Sequence, residues 1–291
     1  MTPVEQGRIK RVRSLFEIGG SPEEYILSTK FEGLCSEVTL RARVMEGFQD
    51  ESSNVQSRKV LANLFEHTSL RLSDVLMRLE FIDSIQREFI EKDIKIFSPW
   101  NRRAALLIKD FHIDIVSLMD STAAVAIQGT IGLKHKDLKS LPGFADLLPN
   151  TSRSYRKDMG NDPVIKIVDS AEGWYEDVKK VRDLLTHREN LKIVYGLPSD
   201  GILFQVYEER HNPKILDTAF LWPKGNNVVD FRLYSAFIVA ESLLFLEDLA
   251  TEVMARLNIA PEGLPKAYRI DDTGNFSHLL DSLDRLISDA P

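Results

Sequence analysis

Apolar residues recur at steps of three and four along most of this chain, and that spacing predicts helices. Leu27, Phe31, Leu34, Val38 and Met45 form one such face, behind Ser21-Pro22-Glu23-Glu24. That tetrapeptide reads as an N-cap, a proline at the first helical position and acids on the positive end of the helix dipole. After a polar break at 49–54, Leu61, Leu64, Leu72, Val75, Leu79, Ile82 and Phe89 carry a longer stripe to residue 94. Ser98-Pro99-Trp100 starts the next helix by the same logic, with Ala104, Leu107, Phe111, Ile115, Leu118 and Met119 on its inner face. Asp162-Pro163 opens another, whose stripe of Val164, Ile167, Val168, Ala171, Trp174, Val178, Val181 and Leu185 runs to residue 190.

The period then changes. Residues 191–195, 202–207 and 215–222 are short runs rich in β-branched and aromatic side chains, divided by Gly-, Pro- and Asn-containing turns. The last long helix covers 228–257, and its centre, Ala236-Phe237-Ile238-Val239-Ala240, is apolar all round, which predicts a central buried helix. A short amphipathic helix at 276–287 closes the chain. The expected fold is mainly α: a helical bundle of four long helices with a small antiparallel β-meander inserted between the last two. Residues 1–50 read as an N-terminal helical extension, and 51–291 as the bundle with its β insertion at 191–222.

Residues 129–162 lack long helical periodicity and are rich in Gly, Pro, Ser and Asn, with one short helix expected at 144–148. This connection is locally basic: Lys134, Lys136, Lys139, Arg153, Arg156 and Lys157 outnumber Asp137, Asp146 and Asp158. The chain as a whole carries a net charge of -7, so a polyanion would have to bind a local patch against the global field. A single cysteine, Cys35, sits on an apolar helix face and reads as core. No signal-peptide layout and no segment long enough to span a bilayer is visible, so a cytoplasmic location with no membrane contact is the expectation.

One segment carries chemistry. Arg182-Asp183-Leu184-Leu185-Thr186-His187 lies near the C-terminal end of a long helix. Five helical residues turn about 500°, so Arg182 and His187 point about 140° apart. They converge on one ligand only if the helix end loosens or a second copy contributes. Asp183 is placed to orient its neighbour by a charge-assisted hydrogen bond. The ordinary reading is that cations gather at helix C-termini because they complement the dipole.

Arginine, a polar residue, three residues and histidine at a helix end in a four-helix bundle resembles the motif of the HEPN superfamily. Arg182-Asp183-x-x-x-His187 fits it at each defined position. The resemblance covers the motif and its bundle context. It implies metal-independent RNA cleavage, in which a ribose 2′-OH attacks the adjacent phosphate. His187 would serve as general acid or base and Arg182 would hold the phosphate charge. It also implies a homodimer with two motifs facing one cleft, no cofactor and no metal, and a toxin-antitoxin or defence setting with a protein partner or antitoxin. Members that accept nucleotidyl groups carry tyrosine two residues after the histidine; Glu189 stands there instead. Arg188, Lys134, Lys136, Arg153, Arg156 and Lys157 are the candidates for holding the RNA backbone.

The alternative is a helical binding or scaffold protein of the same fold with no chemistry of its own. Two further positions left their partners open. Glu241 interrupts the apolar helix and needs either Arg182 or a solvent-facing side. His112 and Asp114 are two residues apart, cannot share a metal on a helix, and read as an exposed pair. The sequence contains neither a zinc-hydrolase motif nor a P-loop.

Overall fold

The computed structural model describes residues 3–18, 25–46, 53–92, 99–133, 140–149, 155–187, 191–194, 201–206, 228–264, 268–271 and 275–288. The fold is mainly α. Among the described residues, helices α1 (Pro3–Arg13), α2 (Lys30–Glu46), α3 (Ser53–Lys92), α4 (Pro99–Thr130), α5 (Tyr155–Met159), α6 (Pro163–His187), α7 (Phe231–Leu257) and α8 (Asn275–Ser288) alternate with short strands and two 3-10 turns.

α7 is the axis of the molecule. Its apolar side chains and two of its carboxylates are buried, and α1, α2, α4, α6 and α8 all pack on it. Asp230 caps its first turn, accepting the backbone N–H groups of Arg232 at 3.0 Å and Leu233 at 3.4 Å. Asn258 ends it in a left-handed conformation (φ 51°), which an Asn side chain tolerates. α3 and α4 form a long antiparallel pair against this axis. It is pinned by the Trp100 indole N–H donating to the Ile85 carbonyl at 2.8 Å, and by Arg78, which reaches Asp114 at 3.0 Å and Asp110 at 3.3 Å.

The two sheets are small. β3 (Leu191–Val194), β4 (Leu203–Val206) and β5 (Val229–Asp230) make the antiparallel meander between α6 and α7. The expected third strand at 215–222 lies outside the described residues; the strand that pairs with β4 is Val229–Asp230, at the mouth of α7. The second sheet was not foreseen. β1 (Phe16–Ile18), β2 (Tyr25–Ser28) and β6 (Tyr268–Asp271) join the two ends of the chain in the order β1-β2-β6. This corrects the expected helix start: Leu27 is a buried residue of a strand, and α2 begins at Lys30. Residues 25–28 are paired on both sides, by Phe16–Ile18 and by residues some 240 positions later, and such pairing is beyond the reach of helical periodicity. The residues 21–24 read as the cap lie outside the described residues. Thr29 caps α2 through its hydroxyl, which accepts the Glu32 N–H at 3.1 Å, and the buried Glu247 of α7 accepts the Phe31 N–H at 3.3 Å.

The charged positions of α7 thus hold the N-terminal elements. Glu241 is 4% exposed and pairs with Arg8, not Arg182: Arg8 donates from Nε at 3.1 Å and from Nη2 at 2.6 Å. Ile9, Val12, Phe31 and Leu34 share one core with α4, α6 and α7, so α1 and α2 are built into the bundle.

His112 corrects another expectation. It is fully buried, its ring stacked on Tyr234, while its neighbour Asp114 serves Arg78. His112 Nδ1 lies 2.7 Å from the Ile108 carbonyl, which can only accept, so Nδ1 carries the proton and Nε2 accepts from the Tyr234 hydroxyl at 2.8 Å. Burial, opposed by the Ile108 contact, pushes its pKa down to about 4. The folded state therefore binds fewer protons than the unfolded chain between about pH 4 and about pH 6.5, and His112 makes stability rise with pH across that window. In His112→Gln that contribution should vanish, which urea unfolding midpoints measured at the two ends of the window would show.

Candidate functional site

α6 carries Tyr175, Lys179 and Arg182 at helical steps of four and three, so one face presents all three. That face turns toward Asp120 of α4. The Asp120 carboxylate accepts the Phe144 backbone N–H at 2.8 Å and a hydrogen bond from the Tyr175 hydroxyl. Burial raises its pKa; the Phe144 N–H and then the charges of Arg182 and Lys179 oppose that rise. Burial also raises the Tyr175 pKa, with the Asp120 charge adding to it, so Tyr175 stays a neutral donor.

The loop before the 3-10 turn (Phe144–Leu147) is shaped to this carboxylate. The Gly143 N–H donates to Asp146 at 2.9 Å, and a Cβ on Gly143 would meet Asp120 Oδ1 at 2.7 Å. Gly143→Ala is expected to cost about 1–3 kcal/mol, because either the carboxylate or the turn must shift. Thermal unfolding of the variant tests this, and an unchanged midpoint would mean that the corner is soft.

Arg182 is partly buried. Its Nε lies 2.8 Å from Asp183 Oδ1 without forming a hydrogen bond, and this buried N–H has no acceptor among the described residues. Two carboxylates, Asp183 beside it and Asp120 across the helix interface, thus flank the guanidinium. His187 is the last residue of α6; its side chain lies outside the described residues. The structure therefore brings Arg182 and Asp183 together and adds Asp120, Tyr175 and Lys179, none of which the motif indicated. Asp120 had one visible signal, a lone charge within the otherwise apolar and small-residue run 115–127.

Of the expected backbone-binding residues, Arg156 and Lys157 are described, and neither lies beside Arg182. Lys134, Lys136, Arg153 and Arg188 lie outside the described residues. Arg156 is committed elsewhere: it grips both oxygens of Asp169, at 2.7 and 3.1 Å, and donates to the Leu147 carbonyl. Lys157 is exposed and joins Arg156, Lys166, Asp162 and Asp169 around an open depression of about 880 Å³. Arg182 lies thirteen residues beyond Asp169 on one helix, a rise of about 20 Å. One phosphodiester cannot touch both places; a polynucleotide several nucleotides long could.

Among the described residues no group of three His, Cys, Asp or Glu side chains could hold a metal ion, and no helix is long and apolar enough to cross a membrane. No protein-family model matches the chain, and no curated protein and no solved structure matches it.

Proposed function

We propose that this chain is a metal-independent endoribonuclease of HEPN type, with Arg182 and His187 as its reacting pair and a second copy completing the cleft. The observation that carries this reading is the Arg182 guanidinium: partly buried near the end of α6, beside Asp183, with an Nε–H that no group among the described residues accepts. A phosphate oxygen is the ligand chemistry that such a donor takes. His187, five residues on, supplies the proton-transferring group. In the proposed step the 2′-OH loses its proton as its oxygen bonds to phosphorus, the 5′-oxygen leaves with a proton, and a 2′,3′-cyclic phosphate remains.

The second reading is a non-catalytic helical scaffold, and one observation favours it. Asp120 and Asp183 together balance the Arg182 charge within the fold, as a purely structural arginine requires.

Cleavage of end-labelled single-stranded RNA in the presence of EDTA separates the two. The ribonuclease reading expects cyclic-phosphate ends from the purified protein and none from His187→Ala. Absence of cleavage by the dimer, or full activity in His187→Ala, leaves the scaffold reading standing.

A further inference from the structure

Between the antiparallel helices α3 and α4 lies an open groove of about 370 Å³. Phe81 and Ser84 of α3 and Arg103, Leu106, Leu107 and Asp110 of α4 line it. Phe81 is 45% exposed and Leu106 50%, and Met77, one turn before Phe81, is 47% exposed. Large apolar side chains gathered at a groove with polar ends mark a contact surface.

The two ends of the groove carry opposite charges. Arg103 and Asp110 lie seven residues apart on α4, two helical turns or about 10 Å, with Leu106 and Leu107 midway between them. Each has a partner inside the copy: Glu88 at 3.0 Å for Arg103, and Arg78 at 3.3 Å for Asp110. Their side chains are still 57% and 41% exposed, so both keep hydrogen-bonding capacity in solvent.

This pattern fits itself when turned end for end. A two-fold axis laid across the helices between Leu106 and Leu107 sets Arg103 of one copy opposite Asp110 of the other, twice, and Leu106 opposite Leu107. The ion pairs that align α4 with α3 fix where the axis crosses α3. Glu88 sits beside Arg103 and Arg78 beside Asp110, so the midpoint falls between Phe81 and Ser84. There the bulky Phe81 of each copy meets the small Ser84 of the other. We propose that the outer face of the α3–α4 pair is an antiparallel docking surface for a second copy of this chain, burying Phe81 and Leu106 and pairing Arg103 with Asp110 across the two-fold.

The helices are long enough for this. α3 has 40 residues and α4 has 32, about 60 and 48 Å. Two such helices laid on two others can supply the roughly 800 Å² per partner of a stable interface. Arg102 and Lys109 flank Leu106 on the side away from the groove, and the same axis sets them opposite each other, so the contact leans toward α3. The contact is independent of the ribonuclease reading. Asp120, which faces Arg182, lies about 20 Å along α4 from the axis. The two Arg182 guanidiniums of this dimer are therefore about 40 Å apart, and the composite cleft of that reading needs another face.

Sedimentation equilibrium of the full chain tests the proposal, on the natural protein and on Arg103→Asp and Asp110→Arg, each alone and then mixed. The natural protein should form a dimer that weakens as salt is added. Each single variant sets like charges opposite each other twice, and its dissociation constant should rise about tenfold or more. Mixed in equal amounts, the two variants again place opposite charges at both contacts, and the mixed dimer should recover to within about tenfold of the natural one. Mixing cannot mend the pairs lost inside each copy, so recovery reads the contact between copies alone. Leu106→Glu, at an exposed position, should weaken association by at least about 100-fold with unchanged helix content by circular dichroism. A natural protein that stays monomeric at about 100 μM overturns the proposal and leaves the groove to a helix of another protein. So does a dimer that Leu106→Glu leaves intact, or a mixture that associates no better than its components.

Discussion

Arg8→Ala is expected to lose about 3 kcal/mol of stability, the lower end of what breaking a buried ion pair costs. The asymmetry of the pair drives the size. The Glu241 side chain is 5% exposed and the Arg8 side chain 31%, so removing the arginine strands a carboxylate that water cannot reach. Removing the acid instead leaves a guanidinium with a route to solvent, and Glu241→Ala should cost less. Against a typical domain stability of about 5–15 kcal/mol, the Arg8 loss is large. The other ties of α1 cannot make it good: Arg11–Asp248 and Arg13–Asp284 are solvent-accessible pairs, worth about 1 kcal/mol or less each. A double variant, Arg8→Met with Glu241→Leu, should recover most of the loss, since two apolar side chains need no partner. Urea unfolding of the four proteins decides it. If Arg8→Ala and Glu241→Ala are equally mild, the fork is ornamental and α1 is held by Ile9 and Val12 alone.

The second large effect is on cleavage. His187→Ala should lower the EDTA-resistant rate by about 10²–10⁴-fold, the usual contribution of a positioned proton donor or acceptor. As the last residue of α6 it should change stability by less than about 1 kcal/mol. Arg182→Lys is the more telling variant. It keeps the charge that faces Asp120 and Asp183 but gives up the planar fork. A structural arginine tolerates that exchange with little change in rate or midpoint. An arginine that holds a transition-state phosphate loses about 10²-fold or more, because the donors no longer match the oxygens. A rate unchanged in Arg182→Lys, with cleavage still abolished in His187→Ala, would move the phosphate-holding role to another cation. Lys179, on the same face of α6, would be the first to test.

Much of this molecule was legible in one dimension because helices are written locally. The stripes from Leu61 to Ile82 and from Val164 to Leu185 needed no knowledge of their neighbours, since a helix satisfies its backbone within itself. The all-apolar centre of the last long helix likewise announced that other helices would surround it, and α7 is the axis. The short strands at 191–194 and 203–206 were visible through β-branched residues and turns. The strand at 25–28 was not. Leu27 continues a helical spacing, and pairing with Phe16–Ile18 on one side and Tyr268–Asp271 on the other makes its segment extended.

The same division runs through the polar groups. Motif spacing marked Arg182, Asp183 and His187, and the lone charge of Glu241 in an apolar helix declared that a partner must exist. Which partner was a tertiary fact: Arg8, 233 positions away, took the carboxylate, and Asp120 came to face Arg182. His112 looked like one half of an exposed polar pair, yet closure of α4 on α7 stacked it against Tyr234 and removed it from water. Periodicity reports the surroundings of a residue within about one turn of its own helix. Burial, ion pairing and shifted proton affinities depend on which distant elements arrive there, and those were decided only when the helices packed around α7.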